Sequence, residues 1–197
     1  MTDFKIMLYF FTFVMYIQIF SQDIKINQNI DIAKDSLFID NHKISLFSIT
    51  HFKEDPCGDL ARSSTAYIFN KGKVTKIIKP DYIEITLYQT SVGVPLKKPK
   101  KILLYLSGVT SDSLSEDKYN IAEKFLKKYV LFQDVELSST NTIIYNEPPY
   151  SAIIHLNGYS LNYTLLKNRL GSFYLHNMGE LDFVTECKYK NASRKNI

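Results

Sequence analysis

From residue 65 onward, apolar and polar positions alternate with a period near two, interrupted by stretches with a period near four. The period-two stretches read as strands, because successive side chains of a strand point to opposite faces. They fall at residues 65–69, 73–79, 82–89, 102–106, 135–137 and 151–156. The clearest is 82–89, where Ile83, Ile85 and Leu87 alternate with Glu84 and Thr86. Asn70-Lys71-Gly72 and Pro80-Asp81 read as turns. A lysine-rich loop at residues 95–99 precedes the strand at 102.

Two stretches carry the helical period. In the first, Ile121, Ala122, Phe125, Leu126, Tyr129 and Val130 form an apolar stripe. Glu116 and Asp117 at its start and Lys127 and Lys128 at its end suit the helix dipole. Ser113, three residues before Glu116, is a capping-box candidate. The second follows an Asn157-Gly158 turn, with Ser160 as N-cap and Leu161, Leu165, Leu166 and Leu170 on one face. Gly171 stands where a helix takes its C′ residue. A last helix is expected over residues 181–190. The fold class that follows is mainly β with helices: a five-stranded OB-type barrel with two to three helices.

The first 62 residues follow other rules. Residues 6–20 are almost wholly apolar and aromatic, after Lys5 and before Ser21-Gln22-Asp23. That is the shape of a signal segment, and slightly short of the ~20 residues of a membrane helix. Bulky Ile19, three residues before Gln22, makes a poor cleavage context, so residues 1–22 are read as a retained single-pass membrane anchor. A cleaved signal on a secreted protein is the alternative. Residues 23–62 form an extension that fits no recognised unit, either a stalk or an added hairpin. The turn cluster Glu54-Asp55-Pro56-Cys57-Gly58-Asp59 leads to the barrel at 63–197.

Composition changes this picture little. At 45% hydrophobic residues, a chain of 197 residues can bury a real core. A net charge of +4, scattered apart from the lysines at 97–101, does not imply nucleic-acid binding. Those lysines either touch phosphate or form a solvated loop. Cys57 and Cys187 form one disulfide in an oxidising space, or stay two thiols. His155 reads as a half-exposed structural residue. Two sequons occur, at Asn162 and Asn191. Asn162 falls at a helix start and is expected to be structural, leaving Asn191 as the possible glycosylation site.

The second helix and its turn resemble the staphylococcal-nuclease-like family. There, a Val-Asn pair starts the helix after the last barrel strand, and Leu161-Asn162 match it. Upstream, residues 101–109 look like the family's Arg-Leu-x-Gly-Ile strand, and residues 122–130 look like its helix. The resemblance implies an OB-type barrel. Family members hydrolyse phosphodiesters with carboxylate-bound Ca²⁺, a catalytic glutamate and two arginines. Carried over by position, the family's site falls on Lys79, Asp81, Tyr105, Thr110, Ser113 and Pro149. Of these only Asp81 keeps the family's chemistry, and Pro-Asp before a strand makes an ordinary turn role the favoured reading of it. Asp112 is the other acid nearby.

An apolar N-terminus ahead of a degenerate nuclease-like barrel resembles one animal family most. It is a membrane-anchored group named after an open reading frame on human chromosome three, with secreted forms and a mitochondrial inner-membrane role proposed. That resemblance implies a non-catalytic scaffold or regulator, with no cofactor and an unidentified protein partner. A remodelled secreted nuclease or a nucleic-acid binder is the alternative, the latter needing an aromatic groove from Tyr82, Tyr88 and Tyr105.

Overall fold

The computed structural model describes residues 35–48, 57, 68–90, 93–139, 150–176 and 181–194. The apolar segment at 6–20 and Pro149 lie outside them. Within them no helix is long and apolar enough to cross a membrane.

The centre is a closed five-stranded barrel. Its strands are β3 (Ile68–Lys79), β4 (Tyr82–Gln89), β5 (Pro95–Leu106), β7 (Asp134–Ser139) and β8 (Tyr150–Leu156). Around the barrel the order is β5-β4-β3-β7-β8, and a parallel β5–β8 pairing closes it. A short hairpin precedes it: β1 (Asp35–Ile39) and β2 (His42–Leu46). Two-residue strands β6 (Val109–Thr110), β9 (Tyr159–Ser160) and β10 (Ser172–Phe173) trim its ends. The described residues hold three helices: α1 (Glu116–Tyr129), α2 (Leu161–Lys167) and α3 (Phe183–Ser193).

Alternation decides what the barrel buries. Val74, Ile83, Ile85, Leu87, Leu104, Leu106, Leu137 and Ile154 are fully buried. Each such side chain contributes roughly 1.5–3 kcal/mol of transfer free energy. The expected turn at Asn70-Lys71-Gly72 is instead the interior of β3. A Cβ on Gly72 would lie 2.6 Å from Ile85 Cγ2 and 2.9 Å from the Thr86 carbonyl, so glycine lets β4 come close. The expected lysine loop is likewise strand: β5 begins at Pro95. Its parallel partner reaches only Leu104 to Leu106, so this half of β5 is a sheet edge. Lysines and Pro99 there discourage pairing with another chain.

Helix α2 closes the seam. Ser160 caps it, its Oγ accepting from Tyr163 N at 3.2 Å. Asn162 is fully buried and makes three hydrogen bonds. Its Oδ1 accepts from Ile154 N (2.9 Å), and its Nδ2 donates to the carbonyls of Ser107 (2.9 Å) and Ala152 (3.1 Å). It therefore stitches the end of β5 to β8 where the barrel closes. The helix does not run to Gly171 as expected. Arg169, at φ 59°, takes the left-handed C′ position. Arg169 N donates to Leu166 O (3.0 Å) and Leu170 N to Leu165 O (2.8 Å), a Schellman pair. Gly171 instead gives room to Val109, whose Cγ1 would lie 2.7 Å from an added Cβ.

The hairpin packs on this helix and adds Ile39 and Ile44 to the core. Asn168 exchanges hydrogen bonds with both backbone groups of Ser45, and Thr164 Oγ1 accepts from Phe47 N. Helix α3 starts at Asp182, whose carboxylate accepts from Val184 N and Thr185 N. Its Tyr189 is buried against Tyr163, ring centroids 5.8 Å apart. Cys187 of α3 is disulfide-bonded to Cys57, across a separation of 130 residues. In the chain-entropy account a crosslink closing so long a loop stabilises by about 4–5 kcal/mol.

Candidate functional site: an ammonium between two carboxylates

The turn Pro80-Asp81 joins β3 to β4 at the end of the barrel where β5 also ends. Leu106 N donates to the Asp81 carbonyl at 2.9 Å, which ties these ends together. The chain then reverses through Ser107 and Gly108. Gly108 has φ 73°, and a Cβ there would meet Tyr189 Cδ2 at 2.5 Å. Thr110, Ser111, Asp112 and Ser113 follow and arrive beside the Pro80-Asp81 turn.

Lys79, Tyr105, Thr110, Asp112 and Ser113 therefore line one cavity of about 490 Å³, together with Tyr174 and His176. The residues carried over from the family pattern that are described converge, with Asp81 fully buried beside them. Asp81 is more than a turn residue. Its Oδ1 accepts from Ser111 Oγ at 2.7 Å and lies 3.6 Å from Lys79 Nζ, while its Oδ2 has no partner among the described residues. Lys79 Nζ also donates to Asp112 Oδ1 at 3.0 Å. One ammonium thus bridges two carboxylates, one from the Pro80-Asp81 turn and one from the segment after Thr110.

The electrostatics follow from this bridge. Burial pulls the Lys79 pKa down, but the hydrogen bond to Asp112 and the charges of Asp81 and Asp112 together outweigh it, so the net direction is up. The Lys79 hydrogen bond holds the Asp112 carboxyl below its usual range, with burial opposing it. Lys79 is charged and Asp112 ionised at neutral pH. Among the described residues no three His, Cys, Asp or Glu side chains converge as a metal would require.

The wall of the cavity is aromatic. Tyr105 lies between Tyr82 (centroids 4.4 Å) and His176 (4.3 Å), both nearly parallel to it. Tyr174 meets His176 edge-on at 5.2 Å. His176 Nε2 is 2.7 Å from the Val109 carbonyl, which orients the ring. Both faces of Tyr105 are covered within the protein, so this column fills space beside Lys79. Ser113, the capping-box candidate, serves otherwise: its Oγ donates to Ser172 Oγ at 2.7 Å, and the N-cap of α1 is Ser115. Tyr174, His176 and Ser172 follow α2 and escaped the sequence reading. Nothing local marks them; only the pairing of β10 with β6 brings them in.

A second polar group lies on the outside of the barrel. His155 Nε2 is 2.9 Å from Ser138 Oγ, and Glu136 is its cross-strand neighbour. Lys71 pairs with Glu136 at 3.0 Å. Burial pushes the His155 pKa down, with Glu136 opposing. Tyr88 lies here too, not with Tyr82 and Tyr105, so the three tyrosines form no common groove.

Compared with known proteins, the chain matches no family model and no curated protein.

Proposed function

We propose that this chain is a staphylococcal-nuclease-like barrel of the OB type that has exchanged its metal site for an internal ion bridge. In this reading it works as a membrane-tethered binding or scaffolding module and not as a nuclease. The observation that carries it is the position of Lys79 Nζ, 3.0 Å from Asp112 and 3.6 Å from Asp81. A hard divalent cation held here would need the oxygens of Asp81, at a position the resemblance picks out, and of Asp112, the other acid nearby. An ammonium already lies between them and offsets one of their two negative charges, and its positive charge repels a second cation at the same spot. Strand order supports the OB type: five strands close through a parallel third-to-fifth pairing, with α1 between the third and fourth. Asn162 supports the family reading, since it holds the barrel seam from the position the resemblance picks out.

The tether is assigned to residues 6–20 on their apolar, aromatic content. The Cys57–Cys187 disulfide favours a barrel that faces an oxidising space. Alkaline carbonate extraction of membranes bearing the full chain tests the tether, and N-terminal sequencing tests retention. A mature chain that starts at Gln22 or Asp23 argues for secretion instead. Calorimetric titration with Ca²⁺ tests the bridge. Heat of specific binding that vanishes in Asp81→Ala would contradict the exchange of metal for ammonium.

A further inference from the structure

We infer that Asn191 is an N-glycan acceptor whose use is limited by closure of the Cys57–Cys187 disulfide. Two Asn-x-Ser/Thr sequons occur, and the fold treats them oppositely. Asn162 is fully buried with three hydrogen bonds, so its amide is inaccessible once the barrel closes. Asn191 is exposed in the last turn of α3, followed by Ala192 and Ser193. A sequon alone would be a weak signal. The second observation is its neighbour: Asn191 Nδ2 lies 3.3 Å from Cys57 Sγ and 3.9 Å from Cys187 Sγ. The acceptor nitrogen therefore touches the one bond in the described chain that forms in an oxidising compartment. Such compartments are also where sequons are modified.

The transfer uses a lipid-diphosphate-linked oligosaccharide as donor. A bond forms between Asn191 Nδ2 and C1 of the first sugar, and the bond from C1 to the diphosphate oxygen breaks. The electron pair leaves with the lipid diphosphate, and Nδ2 gives up one proton. The transferase must reach Nδ2 and the Ser193 hydroxyl together. In the folded chain Nδ2 lies against the disulfide and Ser193 Oγ donates to the Lys190 carbonyl at 3.0 Å. Transfer accordingly precedes closure of the disulfide, and fast closure leaves part of the protein unmodified. This inference shares with the proposed function only the oxidising side of the membrane; whether the barrel cleaves nucleic acid does not enter.

The full chain is expressed in cultured animal cells and its mobility compared before and after peptide N-glycosidase. The expected result is a glycosidase-sensitive shift that is lost in Asn191→Gln and in Ser193→Ala and returns in Ser193→Thr. The Ser193 variants guard against misfolding of the Asn191 change. The shifted fraction rises in Cys57→Ser. A wild-type chain with no shift, or a shift that survives Asn191→Gln, overturns the assignment. An unchanged fraction in Cys57→Ser overturns the limit set by the disulfide. Carbonate extraction of the same cells reports the tether separately.

Discussion

Lys79 and Asp112 are joined by a 3.0 Å hydrogen bond from ammonium to carboxylate, although 33 residues separate them. Asp112 is largely exposed, whereas Asp81 on the other side of the ammonium is fully buried. The two bonds therefore differ in worth. Asp112→Asn is expected to cost under ~1 kcal/mol, as for other exposed pairs. Lys79→Met strips a buried carboxylate of its cation. It should cost about 1–3 kcal/mol, below the usual buried-pair loss because Lys79 is itself 30% exposed. Lys79→Met combined with Asp81→Asn should recover most of that. Urea denaturation of the four proteins checks the order.

Asn162 is the seam residue, and its removal should be felt as strongly as a core deletion. Asn162→Ala leaves Ile154 N–H and the Ser107 carbonyl without their partner, at a cost of about 2–4 kcal/mol. Leu165→Ala, in the same helix and fully buried, should cost ~2–5 kcal/mol. A midpoint within error of wild type for either would mean that α2 does not close the barrel.

Gly108→Ala should destabilise for two reasons at once. The backbone there is left-handed, and the added carbon meets Tyr189 and Leu181 inside 3.0 Å. Gly158→Ala shares the positive φ but has open space around it. The difference in thermal midpoint between the two variants therefore isolates the packing of α3 against the Ser107-Gly108 turn.

His155 ties stability to pH. Its pKa is lowered in the folded protein, so the fold favours the neutral ring. The stability it contributes is complete above the unfolded value of about 6.5 and is lost as pH falls through the lower folded value. His155→Gln should flatten the decline between roughly pH 7 and 5. Thermal midpoints at both pH values, wild type against variant, give the comparison.

The parts of this fold that could be read from sequence are those where local pattern and tertiary packing agree. Residues 82–89 alternate cleanly and form β4 with those bounds. The stripe from Ile121 to Val130 forms α1, and Ser160 caps α2 as its chemistry suggests. The misreadings have one cause: turn-like residues used for a tertiary purpose. Gly72 looked like a turn, but it admits Ile85 and Thr86. Pro95 and the lysines looked like a loop, but they protect an edge. Gly171 looked like a helix stop, but it makes room for Val109 while Arg169 takes the left-handed position. At the site, resemblance led to Lys79, Asp81, Tyr105, Thr110 and Ser113. Tyr174 and His176 remained invisible because their place depends on a two-residue strand pairing. The cysteine pair was likewise open, since a separation of 130 residues says nothing of proximity.

Direct assay of cleavage tests the proposal that an ammonium stands in place of a catalytic metal. The full chain in detergent would be incubated with single-stranded DNA, double-stranded DNA and RNA, each with Ca²⁺ and with chelator. Removing one electrostatic contact to a transition state typically costs ~10²–10³ in rate, and in the proposed reading Tyr105 stands at the position the resemblance gives to an arginine and Ser113 at that of the glutamate. No Ca²⁺-dependent cleavage of any substrate is expected. Cleavage that requires Ca²⁺ and disappears in Asp81→Ala would contradict it.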